Sequence, residues 1–209
     1  SIITIVLVVS HTLGWCQAGI SVRPGKLYYR LGMGKTGSQF ISITNPNNEK
    51  LEVGVSFSDW NYENSGTNHI VAANTLPNSC VDWIQVLPSS YFEIQPKETK
   101  KIEVILKVPP QVDNAIPVHN AMIFFTQLNP GKVQSAEGAA IQVTVRMGVK
   151  IYHSFIQKAI PEIEIVDLKN VLDTQKNKTL VLKISNAGSI WADGKVKWEL
   201  FNNSTGVKN

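Results

Sequence analysis

The chain has 209 residues, of which 43% are hydrophobic and 17% charged, with a formal net charge of +4. Such a balance is globular and leaves room for one large or two modest domains. The lysines are scattered, with no basic stripe interleaved with aromatics, which argues against nucleic acid as a partner.

Residues 2–9 form a nearly unbroken apolar run, followed by small and polar residues through Trp15-Cys16-Gln17-Ala18. This suits a secretory signal, residues 1–18, that begins inside a longer precursor and is cut after Ala18. The run is too short to cross about 30 Å of hydrocarbon, which takes roughly 20 residues. Cys16 leaves with the signal, so Cys80 stands alone and the mature chain has no internal disulfide to form.

Past the signal come short alternating runs punctuated by Gly, Pro and Asn, the pattern of an all-β protein. Residues 40–45 are halted by Pro46-Asn47-Asn48, and 51–57 follow as a paired strand. The segment 61–80, rich in Asn, Ser and Thr, is either a surface loop or an added contact. Residues 101–108 stop at Pro109-Pro110, and 121–128 stop at Asn129-Pro130-Gly131. Then comes the longest alternation, residues 141–152, predicted as one continuous strand with Ile141, Val143, Val145, Met147 and Val149 on one row and Lys150 on the other. That row is either the core face of an ordinary sandwich strand or a face offered to a partner.

No stretch of helical length keeps a 3.6-residue period, and an immunoglobulin-like sandwich needs about 100 residues for its seven strands. The alternation breaks at 156–161, a linker, and new strands are predicted at 163–166, 180–186 and 195–200. The expected organisation is therefore a first immunoglobulin-like domain at 19–155 and the beginning of a second at 162–209. Three strands are too few to cover both faces of a sandwich, so a truncated carboxyl end is expected.

Enzyme signals fail. Gly34-Lys35-Thr36 resembles the end of a phosphate loop, but Tyr29 stands where the first glycine is required and a strand follows instead of a helix. His69, His119 and His153 lack metal-ligand spacing, and no Gly-x-Ser-x-Gly elbow occurs. The expectation is a protein that is not an enzyme, with no catalytic residue, cofactor, metal or small-molecule substrate.

In order and spacing these segments resemble the periplasmic pilus-assembly chaperones, the PapD-like family, over roughly residues 21–152. Leu27-Tyr28-Tyr29, a Gly-containing turn and residues 40–45 look like the opening strands. Phe92-Glu93-Ile94-Gln95-Pro96-Lys97-Glu98 looks like the family's apolar, acidic, proline approach to its next strand. Asn120-Ala121-Met122-Ile123-Phe124-Phe125 resembles the strand before the last, and 141–152 resembles the last strand running into its lysine at Val149-Lys150-Ile151-Tyr152.

The resemblance implies a PapD-like domain that lends its last strand to an incomplete pilin-like or other surface-fibre subunit, a form of strand addition. It implies Ile141, Val143 and Val145 as the donated side chains. It also implies that the subunit's terminal carboxylate is anchored by Lys150 and by Lys26, which stands where the family has arginine, with Arg23 as a second candidate. Periplasmic localisation, and an outer-membrane assembly platform as a further partner, follow from the same resemblance. Two other readings stand beside it: a structural or adhesive tandem immunoglobulin-like protein of the cell envelope, and a β-sandwich accessory region of a secreted hydrolase.

Overall fold

A computed structural model describes residues 19–63, 65–113, 115–129, 131–134, 140–155, 160–192, 194–199, 201 and 204–206, with the backbone alone at 131–134 and 140–142. The signal expected at residues 1–18 lies outside the described residues, as do 156–159 of the linker. The described residues are all β apart from a short 3-10 turn at Val81–Trp83. In chain order the strands are β1 (Ser21–Arg23), β2 (Lys26–Arg30), β3 (Thr36–Thr44), β4 (Leu51–Tyr62), β5 (Asn68–Val71), β6 (Ile84–Leu87) and β7 (Tyr91–Ile94). There follow β8 (Thr99–Lys107), β9 (Val118–Gln127), β10 (Gly131–Gln134), β11 (Ala140–Val143), β12 (Arg146–Ser154), β13 (Ile163–Leu172) and β14 (Lys178–Asn186).

Two sheets face each other as an immunoglobulin-like sandwich. One has the order β1-β3-β8-β6, and the other β2-β12-β9-β4-β5, with β7 also pairing β4. Alternation does the work that the sequence promised: Ile41, Ile43, Ile102, Val104 and Leu106 of the first sheet are fully buried, as are Val53, Ile123, Phe125, Val149 and Ile151 of the second. Facing rows of branched side chains bury about 1.5–3 kcal/mol each relative to exposure. The Tyr29 hydroxyl crosses the gap to donate to the Val104 carbonyl at 2.7 Å.

Two polar devices fix the turns. Asn45, fully buried, donates through Nδ2 to the carbonyls of Glu49 and Ile94 at 2.7 and 3.1 Å, while its Oδ1 accepts from the Asn47 amide at 3.0 Å. The halt after residue 45 is therefore a hydrogen-bonded turn. At Pro24-Gly25 the chain crosses from β1 in one sheet to β2 in the other; Pro24 has no amide hydrogen to leave unpaired at the crossing.

The last strand differs from the expectation of one run over 141–152. It breaks at Thr144-Val145: β11 pairs with β10, and β12 pairs antiparallel with β9 and parallel with β2. The cause lies in β9. The Gln127 amide still donates to the Val145 carbonyl at 2.9 Å, but β9 ends there; the Leu128 amide, on the other side of the chain, donates to the Glu52 carbonyl of β4 at 2.8 Å. With no ladder left for 143–144, the chain continues upstream as the separate hairpin β10–β11.

Segment 61–80 is more than a loop, since it carries β5, which pairs with Asp59–Tyr62 of β4. Its far end is tied down by the fully buried Asp59 carboxylate, which accepts from the Thr75 and Leu76 amides at 2.8 and 2.9 Å and from the Ser79 hydroxyl at 2.6 Å. Farther on, β13 and β14 form an antiparallel hairpin, longer than the runs predicted there. The strand expected at 195–200 is not formed over 194–199, where Val196 and Trp198 are exposed and no ladder partner lies among the described residues.

Candidate functional site

The parallel partner β2 covers only part of β12. Its register runs from Lys26 opposite Lys150 to Arg30 opposite Ser154, and the Lys150 amide donates to the Gly25 carbonyl at 3.0 Å. Upstream of that point Arg146–Val149 pair with β9 on one side, and no strand among the described residues pairs with the other. Likewise, among the described residues β11 is paired through β10 alone. An edge of unpaired backbone groups is a template for another strand, and this one ends where Lys26 and Lys150 stand side by side.

Lys150 projects from the outer face of its sheet onto aromatic rings. Its ammonium lies 4.0 Å from the Trp60 ring centre and 4.3 Å from that of Tyr62, and it donates to the Tyr62 hydroxyl oxygen at 2.9 Å and to Asn68 Oδ1 at 2.6 Å. Ring faces attract cations, so β4 and β5 hold the charge in place. Trp60 is fixed in turn, 1% exposed with its indole N–H donating to the Ala121 carbonyl at 2.9 Å. Burial raises the Tyr62 phenol, but hydrogen bonds with Lys150 and Tyr152 and the charges of Lys150 and Lys26 bring it below its ordinary value.

Around this lysine lies an aromatic floor. Tyr28 of β2 stacks on Tyr152 of β12 at 5.0 Å between ring centres, and Trp191 packs on both at 5.3 and 4.8 Å. A cleft of about 280 Å³ opens between Trp60, Tyr62, Tyr152 and Trp191. Beneath it Met122 and Phe124 are buried on the outer face of β9, so this sheet carries an apolar cluster on each side.

The row that the sequence singled out is graded along its length. The Ile141 side chain lies outside the described residues; Val143 is 49% exposed; Val145 and Met147 are half-buried against the main core; and Val149 is fully buried. On the opposite row Arg146 sets its guanidinium 3.6 Å from the Phe124 ring centre, and Gly148 follows with no side chain. Arg23 sits in β1 of the other sheet, opposite Ser42.

Sequence reasoning missed the residues that cradle Lys150. Trp60, Tyr62 and Asn68 stand far from it in the chain, and only the pairing of β4 with β5 brings them together. It also treated His119 and His153 as remote, although they are direct register partners with ring centres 5.7 Å apart. No group of three metal-ligating side chains exists among the described residues. Gly34-Lys35-Thr36 is the turn between β2 and β3, and a strand follows it as expected.

No protein-family model matches the chain, and no curated protein matches it by sequence. Solved structures with a similar fold include PapD-like fimbrial chaperones. The periplasmic chaperone SfaE is 8% identical over 91% of this chain and 96% of its own, with a TM-score of 0.43. The CsuC-CsuE chaperone-tip adhesion subunit complex of Acinetobacter baumannii aligns at 12% identity over 81% of this chain and 73% of the other, with a TM-score of 0.46. A PapD-like domain of human CEP192 aligns at 11% identity over 71% of this chain and 95% of its own, with a TM-score of 0.39.

Proposed function

We propose that the chain is a periplasmic chaperone that caps surface-fibre subunits by strand addition along the open edge of β11 and β12. The observation that carries this reading is the junction at which that edge stops, where β2 begins and Lys26 faces Lys150. A guest strand on the edge lies end to end with β2. If it runs parallel to β12, as β2 does, its carboxyl terminus meets the two lysines; if antiparallel, its amino terminus does. Charge selects the parallel orientation, in which a carboxylate takes charge-assisted hydrogen bonds worth about 1.5–3 kcal/mol.

Apolar side chains supply the remaining affinity. Ile141, Val143 and Val145 are the donors of this reading, and the exposure of Val143 supports it. Each such side chain, buried in the groove of an incomplete subunit, contributes about 1.5–3 kcal/mol. Ordering and association costs offset part of the sum. The domains of this proposal are residues 19–155, which capture the subunit, and 162–209, the beginning of a second immunoglobulin-like unit. The protein would be exported through residues 1–18 to the periplasm, with an outer-membrane assembly platform as the next partner.

The test is capture of a pilin-like subunit lacking one strand. The expected result is a one-to-one complex that is weakened when the subunit's terminal carboxylate is amidated; a complex indifferent to amidation overturns the anchor. The half-burial of Val145 and Met147 in the chain's own core favours a second reading, a structural tandem immunoglobulin-like envelope protein. That reading predicts no capture of an incomplete subunit at all.

A further inference from the structure

The outward row of β12 carries a second cation besides the anchor lysine. Arg146 and Lys150 stand four residues apart, about 13 Å at the usual strand rise, with Gly148 between them. Arg146 is exposed, its guanidinium carbon lies 3.6 Å from the Phe124 ring centre, and its one polar contact among the described residues is a long one of 3.4 Å to the Ser56 hydroxyl. Among the described residues no carboxylate pairs with it. A guanidinium held over a ring face keeps N–H donors for a planar acceptor.

We propose that Arg146 reads an acidic side chain at the third position from the carboxyl end of the bound strand, so that the partner is recognised at two charged points. The inference rests on the parallel strand addition argued above. In that arrangement Lys26 occupies the level of Lys150 and Gly25 the level of Val149. The first level open to a guest is that of Gly148. Its terminal residue therefore lies beside Gly148, which sets no side chain of its own against it. The space a Cβ would take is filled by Met122 and Phe124, whose sulfur and ring would lie 3.0 and 3.1 Å from it, so the packing of β9 holds this position to glycine. Side chains alternate faces along a strand; the next outward guest residue is the third from the end, and it lies beside Arg146. The pair fixes register, because a slip of one residue turns the acidic group to the other face.

The experiment uses fluorophore-labelled ten-residue peptides with Val at the inward positions and Thr at the outward ones, the third residue from the end being Glu or Lys, each as free acid and as amide. Binding to the full chain and to Arg146→Glu and Arg146→Gln is followed by anisotropy. With the unaltered chain the Glu peptide binds about tenfold more tightly than the Lys peptide. Arg146→Glu reverses the order, and Arg146→Gln, which keeps a polar cover on Phe124, abolishes the difference. Amidation weakens every peptide on all three proteins. Amidation that matters while the charge at the third position does not overturns the role of Arg146 and leaves the anchor standing. Failure of every peptide to bind overturns both.

Discussion

Val143 and Val149 belong to the row predicted over residues 141–152, but they stand on separate strands, and a hydroxyl placed on each meets different surroundings. Val149→Thr buries an oxygen among fully enclosed aliphatics and is expected to cost about 1–3 kcal/mol of folding stability. Val143→Thr, at a half-exposed position, should stay within about 0.5 kcal/mol while weakening capture of a subunit. Urea unfolding at two protein concentrations separates the two, and equal losses would refute donation by Val143. At Lys150, replacement by Ala should weaken capture about tenfold or more, the charged hydrogen bond being lost, whereas Lys35→Ala in the β2–β3 turn should change little; equal effects in a titration with one subunit would remove the anchor. Cys80 is a third residue with a definite expectation. Burial, then the nearby Asp59 carboxylate, push its thiol well above the usual range. Reductant should leave the melting temperature unchanged, and a thiol-specific disulfide reagent should react with Cys80 only after denaturation. Rapid reaction of the native chain would contradict the burial.

At the scale of elements, β9 and β12 meet at a pair of buried imidazoles. His119 packs against Trp83 at 4.5 Å and Phe155 at 5.8 Å, with the His153 ring opposite, while His153 Nε2 contacts the Leu31 carbonyl at 2.9 Å. Burial, then the facing His153, lower the His119 pKa to about 4, against a smaller opposing pull from the Asp113 carboxylate. Burial also lowers His153, partly offset by its bond to Leu31. Unfolded histidine titrates near about 6.5, so below that pH the unfolded chain binds more protons than the folded one. The contribution of His119 is complete above about pH 6.5 and is lost as pH falls through its folded value near 4, and the lowered His153 adds in the same direction. Unfolding midpoints between pH 7.5 and 4.5 should decline less steeply for His119→Phe than for the unaltered chain; parallel declines would exclude the pair as the cause.

These elements also mark where the sequence was legible. Period-two alternation located β3, β8 and β9, because each has one face in the core and its residues report that face directly. It overran at residues 141–152, because alternation records which side chains are apolar and not which strand supplies the hydrogen bonds. The break falls where the neighbouring strand β9 ends at Gln127, which leaves no mark in residues 141–152 themselves. Lys150 and Lys26 could be singled out through the resemblance, but Trp60, Tyr62 and Asn68 are brought to Lys150 by chain reversal between β4 and β5. Arg146 passed unnoticed for a related reason: a charged residue on the outward row of a strand looks like any solvated one until Phe124 is seen beneath it.

For the whole molecule the seam between β2 and β12 joins the beginning of the sandwich to its end, since Lys26–Arg30 pair with the final strand of the fold. Pairing so distant in sequence closes the largest loop of the domain, and contacts of that kind form late in folding. Until they do, the exposed edge of β12 extends beyond Val149 through Ser154, and the register that β2 later enforces is absent. A nascent chain emerging amino end first has β2 waiting for a partner through the synthesis of nearly the whole sandwich. The step that completes the fold is thus also the step that sets the lower limit of the guest edge, so slow closure of this seam would leave a newly made molecule open to pairing with the wrong strand, including the β12 edge of a second copy.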